Sequence, residues 1–251
     1  MGPGSLPQLL AHKDNLRVLG IVAALKSEAR SLSMAPIGAD GLARLDGTTL
    51  LKVAGIGAER AVAASEFLIA EGAAALLSWG SGGALHPKLS PGNLILPKSV
   101  IASQKHVFPT DADWHNRLVS RLKDRLEIHS EPLVQSPSVL ASPMEKFNFS
   151  KQNDAIAVDM ESGSVAEIAS RANLPFMAIR AIADTADMAI PDSGLNAIDE
   201  YGRLRPMRLL SSLAQKPSDL IPLARLSRSF RAARTTLETV VRLAGNNLLA
   251  F

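Results

Sequence analysis

The sequence predicts an α/β fold: a three-layer αβα sandwich on a central mixed, largely parallel sheet, followed by a helical C-terminal extension. Three observations lead there. Continuous small and apolar runs, such as Ala73 to Trp79 and Pro175 to Ala183, suit strands buried on both faces of a sheet. Segments with helical spacing separate these runs, the alternation that builds layered α/β domains. After Asp187 the strands stop, and prolines at 191, 206, 217 and 222 punctuate helical spacing, each tolerated at a helix start but not inside one. With 251 residues, 47% apolar and 20% charged, the chain has material for a sizeable core and is not disordered in composition. We read 1–251 as one domain. Within it, 1–5 is a cloning remnant and 191–251 a basic helical extension.

The elements follow in order. Arg17 to Leu25 reads as the first strand, and Leu50 to Ala54 as another, ending in Gly55-Ile-Gly57. A helix over 58–70 places Ala63, Ala64, Phe67 and Leu68 on an apolar face. The strand from Ala73 to Trp79 runs into a glycine loop, Gly80-Ser-Gly-Gly83. A strand over Asn93 to Ile101 follows the turn signal Ser90-Pro-Gly92. The polar middle, 111–152, offers one helix near Trp114 to Leu126. Strand, helix and strand then recur over Ala155 to Met160, Glu161 to Ala172 and Pro175 to Ala183. The longest helix is expected over Pro222 to Leu243.

Composition removes several function classes. No cysteine is present, so neither disulfides nor thiolate metal sites are available. The five histidines show no paired ligand spacing, and no metal is expected. No apolar run approaches the roughly 20 residues of a membrane span, and no signal core follows the N-terminus, so a cytoplasmic protein is expected. Net charge is only +3, yet the last 51 residues carry nine Lys and Arg against Asp219 and Glu238. That asymmetry points to an anionic partner for the tail.

Two acidic strand ends stand out: Val158-Asp-Met-Glu161, and Asp184 closing the run from Pro175. In open α/β sheets, ligands bind beyond the carboxyl ends of the strands. Two carboxylates there suit acid catalysis beside hydroxyl recognition. Taken singly, each also has a bland reading. Glu28 fits a helix first turn, and Asp159 or Asp184 could cap an element. Gly55-Ile-Gly57 lacks the third glycine of a dinucleotide fingerprint. The three glycines around Ser81 let backbone N–H groups approach a hydroxylated or anionic ligand. Ser81 has no nucleophile elbow around it.

In order, Gly20-Ile-Val-Ala-Ala-Leu25, Gly55-Ile-Gly57, Gly80-Ser-Gly-Gly83, Val158-Asp-Met-Glu161 and Ile179-Arg-Ala-Ile-Ala-Asp184 resemble the purine nucleoside phosphorylase and methylthioadenosine/S-adenosylhomocysteine nucleosidase superfamily over about residues 17 to 190. The tail, Asp199-Glu-Tyr-Gly-Arg-Leu-Arg-Pro-Met-Arg-Leu-Leu210 with Leu226-Ser-Arg-Ser-Phe-Arg-Ala-Ala-Arg234, is similar to the hopanoid-associated phosphorylase branch. That branch implies release of adenine from adenosylhopane, by phosphorolysis or hydrolysis. A nucleosidase for methylthioadenosine or S-adenosylhomocysteine is the alternative.

The resemblance implies a role for each motif residue. Asp184 would protonate the leaving base at N7, and Glu28 would activate water as in nucleosidases. Glu161 and Met160 would hold the ribose, with Ser81, Gly82 and Gly57 near the ribose and nucleophile. Gly83 would lie near the base, and Asp159 is placed with it; Phe147 either stacks on the base or packs in the core. If inorganic phosphate is the co-substrate, Lys26 and Arg30 could hold it, although their spacing is not the family's. The name of the branch favours phosphate and Glu28 favours water; of the two, the reading leans to phosphate. Ala183 stands where the superfamily commonly has serine, and Ala141 to Phe147 does not carry the nucleosidase base pattern. No cofactor and no nucleic-acid partner are expected, and the chain is expected to form a homo-oligomer, a dimer. The 222–243 helix carries Arg225, Arg228, Arg231 and Arg234 with Leu226, Phe230 and Leu237 interleaved. It could meet the anionic inner membrane surface, where a lipid-linked adenine nucleoside would be found. The competing reading is a solvated basic face packed on its own domain.

Overall fold

The computed structural model describes residues 17–102, 105–197, 199 and 205–248. The expected remnant at 1–5 and the 200–204 part of the tail motif lie outside the described residues. The chain runs β1 (Val18–Ala23), α1 (Lys26–Leu32), β2 (Leu42–Asp46), β3 (Thr49–Val53), α2 (Ala58–Ala70) and β4 (Ala73–Ala84). Then come β5 (Leu94–Ile95), β6 (Ser99–Ile101), β7 (Val107–Pro109), α3 (Ala112–Leu122), β8 (Ile128–His129), β9 (Leu133–Gln135) and α4 (Pro143–Asn153). β10 (Ala157–Asp159), α5 (Ser162–Arg171) and β11 (Phe176–Asp184) complete the sheet. The extension is α6 (Asp192–Asn196), α7 (Pro206–Gln215) and α8 (Leu220–Ala244).

The central strands bury both faces, and alternation sorts them into two cores. Leu19, Ile21, Leu77, Trp79, Met177 and Ile179 face one layer, where Trp114 and Leu118 of α3 and Leu237 and Val240 of α8 pack on them. Val22, Leu50, Leu76, Ala178 and Ile182 face the other, under Leu68 of α2 and Val165 and Ile168 of α5. Each large aliphatic side chain so removed from water stabilises by about 1.5–3 kcal/mol. The result is the expected sandwich, built on an eleven-stranded mixed sheet.

β4 is the strand at which this sheet divides. On one edge β1 pairs with it in parallel as far as Ala23 opposite Trp79. The same side is taken up again by antiparallel β10, at Val158 opposite Gly83. On the other edge β11 runs parallel to β4, with a register shift just before Asp184 meets Gly83. Between Trp79 and Gly83, no described strand covers the first edge. This gap positions the site.

Several expectations need correction. Gly80 to Gly83 are strand residues of β4, not a loop, because β11 pairs along their full length. The run from Asn93 to Ile101 divides into β5 and β6 around Pro97, which has no N–H to give a ladder. The polar middle holds β8, β9 and α4 besides α3. α3 starts earlier than predicted because Asp111 caps it, accepting from the Trp114 amide at 2.8 Å. β2, paired antiparallel with β3, was not predicted at all.

In α8, Pro222 falls in the first turn, where it breaks no helical hydrogen bond. Leu226, Ala233, Leu237 and Val240 are buried, while Arg225, Arg228, Arg231 and Arg234 are exposed. Of the apolar residues interleaved with these arginines, Leu237 packs against the sheet, as the competing reading of a basic face on its own domain had it, while Leu226 and Phe230 line a cavity. The exposed large apolar residues of the extension are instead Met207 and Leu210 on α7, and Leu220, Ile221 and Phe230 on α8.

Candidate active site

The gap in the β4 edge is filled by a side chain. Glu28 Oε1 accepts from the Ser81 amide at 2.8 Å and from Ser81 Oγ at 2.7 Å. Its other oxygen accepts from the Leu25 amide at 3.0 Å, closing the first turn of α1. Glu28 is thus both a first-turn acid and a site residue. Gly80 makes the approach feasible: a Cβ there would lie 2.7 Å from the Glu28 carboxyl carbon. Behind it, Trp79 Nε1 donates to Ser31 Oγ at 3.0 Å, fixing α1 against the sheet.

A second carboxylate, Glu161, enters where β10 gives way to α5. Its Oε1 accepts from the Gly57 amide at 2.9 Å, joining the starts of α2 and α5. Burial, reinforced by the neighbouring Asp159 charge and opposed by Arg180, pushes the Glu161 carboxyl up to about 8. Asp159 itself is saturated. Its Oδ2 accepts from Arg180 Nε at 2.8 Å and Ser162 Oγ at 2.5 Å, and forms an ion pair with Arg180, whose Nη2 donates to Ser78 Oγ at 2.7 Å. The carboxylate of Asp159, expected near the base, thus anchors the buried Arg180.

Asp184 closes β11 beside Gly83, where a Cβ would come within 3.1 Å of its carboxylate. Burial raises its pKa above the ordinary range, against the pull of Lys146. Lys146 Nζ lies 2.5 Å from Asp184 Oδ2 and also donates to the carbonyls of Thr185 at 2.7 Å and Met188 at 3.0 Å. The lysine is only 1% exposed.

These groups line one cavity of about 670 Å³, a size typical of small-molecule sites. Glu28, Ser81, Gly82, Gly83, Asp159, Met160, Glu161 and Asp184 are on its wall, as Lys146 is. From this polar end the cavity continues between apolar side chains of the extension and its approach, among them Ile190, Leu195, Leu213, Leu223 and Phe230. Leu220 and Phe230 are 56% and 42% exposed, so the cavity reaches the surface there.

Four expected site residues stay off the wall. Lys26 and Arg30 are exposed on α1, because Glu28 between them is the residue that turns inward. Phe147 is 53% exposed, with Lys151 Nζ 4.4 Å above its ring. One position along a helix rotates the side chain by about 100°, so α4 points Lys146 in and Phe147 out. Gly57 lies behind the wall with its amide bound to Glu161. Lys146 and Arg180 went unread as functional in the sequence. Arg180 did carry a signal, since a lone arginine in an apolar strand demands a buried anion.

Comparison with known proteins matches this arrangement to a family. A family model described as the phosphorylase superfamily covers residues 43–202. A curated relative, the 5′-methylthioadenosine/S-adenosylhomocysteine nucleosidase of Buchnera aphidicola, is 25% identical over 182 residues. That match spans 64% of this chain and 66% of the relative, a little under two thirds of its length. Among solved structures, the Helicobacter pylori 5′-methylthioadenosine/S-adenosylhomocysteine nucleosidase with butyl-thio-DADMe-Immucillin-A superposes with a TM-score of 0.65 at 16% identity, covering 91% of this chain and 99% of that one. Futalosine hydrolase of the same organism gives 0.65 at 16%, covering 90% and 98%. At such identities the likeness is one of fold.

Proposed function

This chain belongs to the phosphorylase superfamily, and from that premise we propose that it hydrolyses the N-glycosidic bond of an adenine nucleoside carrying a large apolar 5′ substituent, adenosylhopane in particular. The observation that carries the proposal is the cavity. Its polar end holds Glu28, Ser81, Glu161 and Asp184, and its remainder is an apolar channel supplied mainly by α6, α7 and α8. A small nucleoside fills only the polar end.

Cleavage of a glycosidic bond passes through an oxocarbenium-like sugar. Asp184, its pKa raised by burial, gives a proton to N7 as the bond from C1′ to N9 breaks and its electron pair stays with the base. Glu28 takes a proton from water, whose oxygen forms the new bond to C1′. Glu161 and Met160 hold the ribose. The two carboxyls then exchange protons with solvent.

Water is favoured over phosphate by charge. Lys146 is the one basic side chain among the described lining residues, and Asp184 already takes it up. A phosphate at the Glu28 end would face Glu28 and Glu161 with no cation. We place contact with the anionic membrane surface at Met207, Leu210, Leu220 and Ile221, beside the cavity's exposed mouth, in place of the 222–243 helix face.

Methylthioadenosine or S-adenosylhomocysteine as substrate is the second reading, supported by the names of the relatives and by Glu28. The test is adenine release from adenosylhopane in detergent and from methylthioadenosine, each with and without inorganic phosphate. Release from adenosylhopane independent of phosphate, lost about 10²–10⁴-fold in Asp184→Asn, is the expected result. Strict phosphate dependence would make the enzyme a phosphorylase. Turnover of methylthioadenosine alone would end the lipid reading.

A further inference from the structure

Lys146 is a buried cation that the reaction scheme above does not use. Its three ammonium protons have three acceptors, namely Asp184 Oδ2, the Thr185 carbonyl and the Met188 carbonyl, so the group cannot rotate or reach elsewhere. It comes from α4, whose start is set by Ser142 and Glu145. Ser142 Oγ accepts from the Glu145 amide at 3.2 Å, and the Glu145 carboxylate accepts from the Ser142 amide at 2.8 Å. A capped helix thus delivers a fixed charge to one oxygen of the acid and also ties down the turn that follows β11.

We propose that Lys146 is the positioning residue of the leaving-group acid. It holds Asp184 by Oδ2, so that Oδ1 alone is presented to the purine, and its charge sets the protonation state in which Asp184 meets the substrate. The inference rests on the nucleoside-cleaving reading for its catalytic consequence, although not for the ion pair itself.

The surroundings leave this role to Lys146. β4 passes Asp184 with Gly83 and adds no charge. The turn after β11 contributes Asp187, whose carboxylate accepts from Thr185 Oγ1 at 2.6 Å. The remaining cavity wall contributes the carboxyls of Glu28, Asp159 and Glu161, and Arg180 is committed to Asp159. Among the described lining residues, none besides Lys146 brings a cation to Asp184. Desolvation by burial favours the protonated acid, and Lys146 opposes it. An opposite charge this close shifts a carboxyl by about 1–3 pH units. Replacing Lys146 with a neutral residue must then raise the pKa of Asp184 further. Because an acid catalyst works only while protonated, the limb on which activity falls with rising pH must move upward.

The experiment compares wild type, Lys146→Met and Lys146→Arg. The pH profile of kcat/KM is recorded for adenine release from whichever of methylthioadenosine and adenosylhopane the wild type turns over. In parallel, the carboxyl of Asp184 is titrated in the free protein by 13C NMR with labelled aspartate, Asp184→Asn providing the assignment. In Lys146→Met we expect the Asp184 titration and the falling limb both to move up by a unit or more, with kcat at least tenfold lower. Lys146→Arg, which keeps the charge, should hold the limb close to the wild-type position.

An Asp184 titration that stays in place or moves down in folded Lys146→Met would overturn the proposal. So would a loss of activity with an unshifted titration, which is the mark of a purely structural lysine. A titration that moves while the pH profile does not would keep the ion pair and refute Asp184 as the acid, so the fault would lie in the functional reading. If neither nucleoside is turned over, the titration still decides the electrostatic role.

Discussion

Glu161 shows how a buried carboxyl in the cavity wall bears on stability. Its ordinary value is 4.5, and burial beside Asp159 lifts it to about 8. Between these values the folded protein binds a proton that the unfolded chain has released. Stability is therefore fully present below 4.5 and falls as pH rises towards 8. Glu161→Gln keeps an acceptor for the Gly57 amide and removes the charge. We expect it to flatten the decline of melting temperature between pH 5 and 8, to raise that temperature at pH 8, and to lower kcat/KM. Thermal scans across pH, beside steady-state kinetics, check this, and a slope like that of wild type would refute it.

The motif carboxylates Glu28, Glu161 and Asp184 were legible in the sequence because they close or follow strands of recognisable pattern. Lys146 and Phe147 were not. Which of two neighbours on a helix faces inward depends on the rotation of α4 against the cavity, which has no signature in a polar stretch of weak periodicity.

At the scale of the element, β4 carries the most information. Its glycines read as a ligand loop in sequence, since glycine clusters mark turns. The structure uses Gly80 and Gly83 to admit the Glu28 and Asp184 carboxylates against an extended strand. Gly80→Ala is therefore expected to push Glu28 off Ser81 and to reduce kcat at least tenfold with a smaller change in KM, measured with the same nucleoside. A variant with unchanged kcat would show that Glu28 can act from another position. The long strands and α2 were predicted because buried runs and apolar periodicity are local properties. β5 and β6 were read as one strand, and the short strands β7 to β9 were not predicted, since two or three residues show no period and owe their pairing to neighbours distant in sequence.

At the scale of the whole molecule, the extension supplies much of the apolar part of the cavity wall and a set of exposed apolar side chains. Met207, Leu210, Leu220 and Ile221 are 76%, 62%, 56% and 67% exposed, and the exposed cations Arg208, Lys216 and Arg225 accompany them. Such a pairing of apolar side chains with positive charge suits an anionic bilayer surface. Leu210→Ser with Ile221→Ser should reduce co-sedimentation with phosphatidylglycerol vesicles several-fold while leaving adenine release in detergent unchanged. Equal sedimentation of variant and wild type would exclude this surface. The sandwich and the helical tail were both legible in the sequence. The part of the tail helix that joins the core was not, because a basic amphipathic stripe looks the same whether its apolar side meets lipid or its own sheet.

That α8 covers β11 with its second half and lines the cavity with its first has a consequence for the order of synthesis. When β11 emerges from the ribosome, the face bearing Met177 and Ile179 has as yet no α8 to cover it, and the nucleoside end of the cavity has no apolar wall. Both are supplied by one helix made afterwards. Until α8 is made, the nascent chain thus has neither its core closed nor the apolar part of its cavity walled, and one helix completes both.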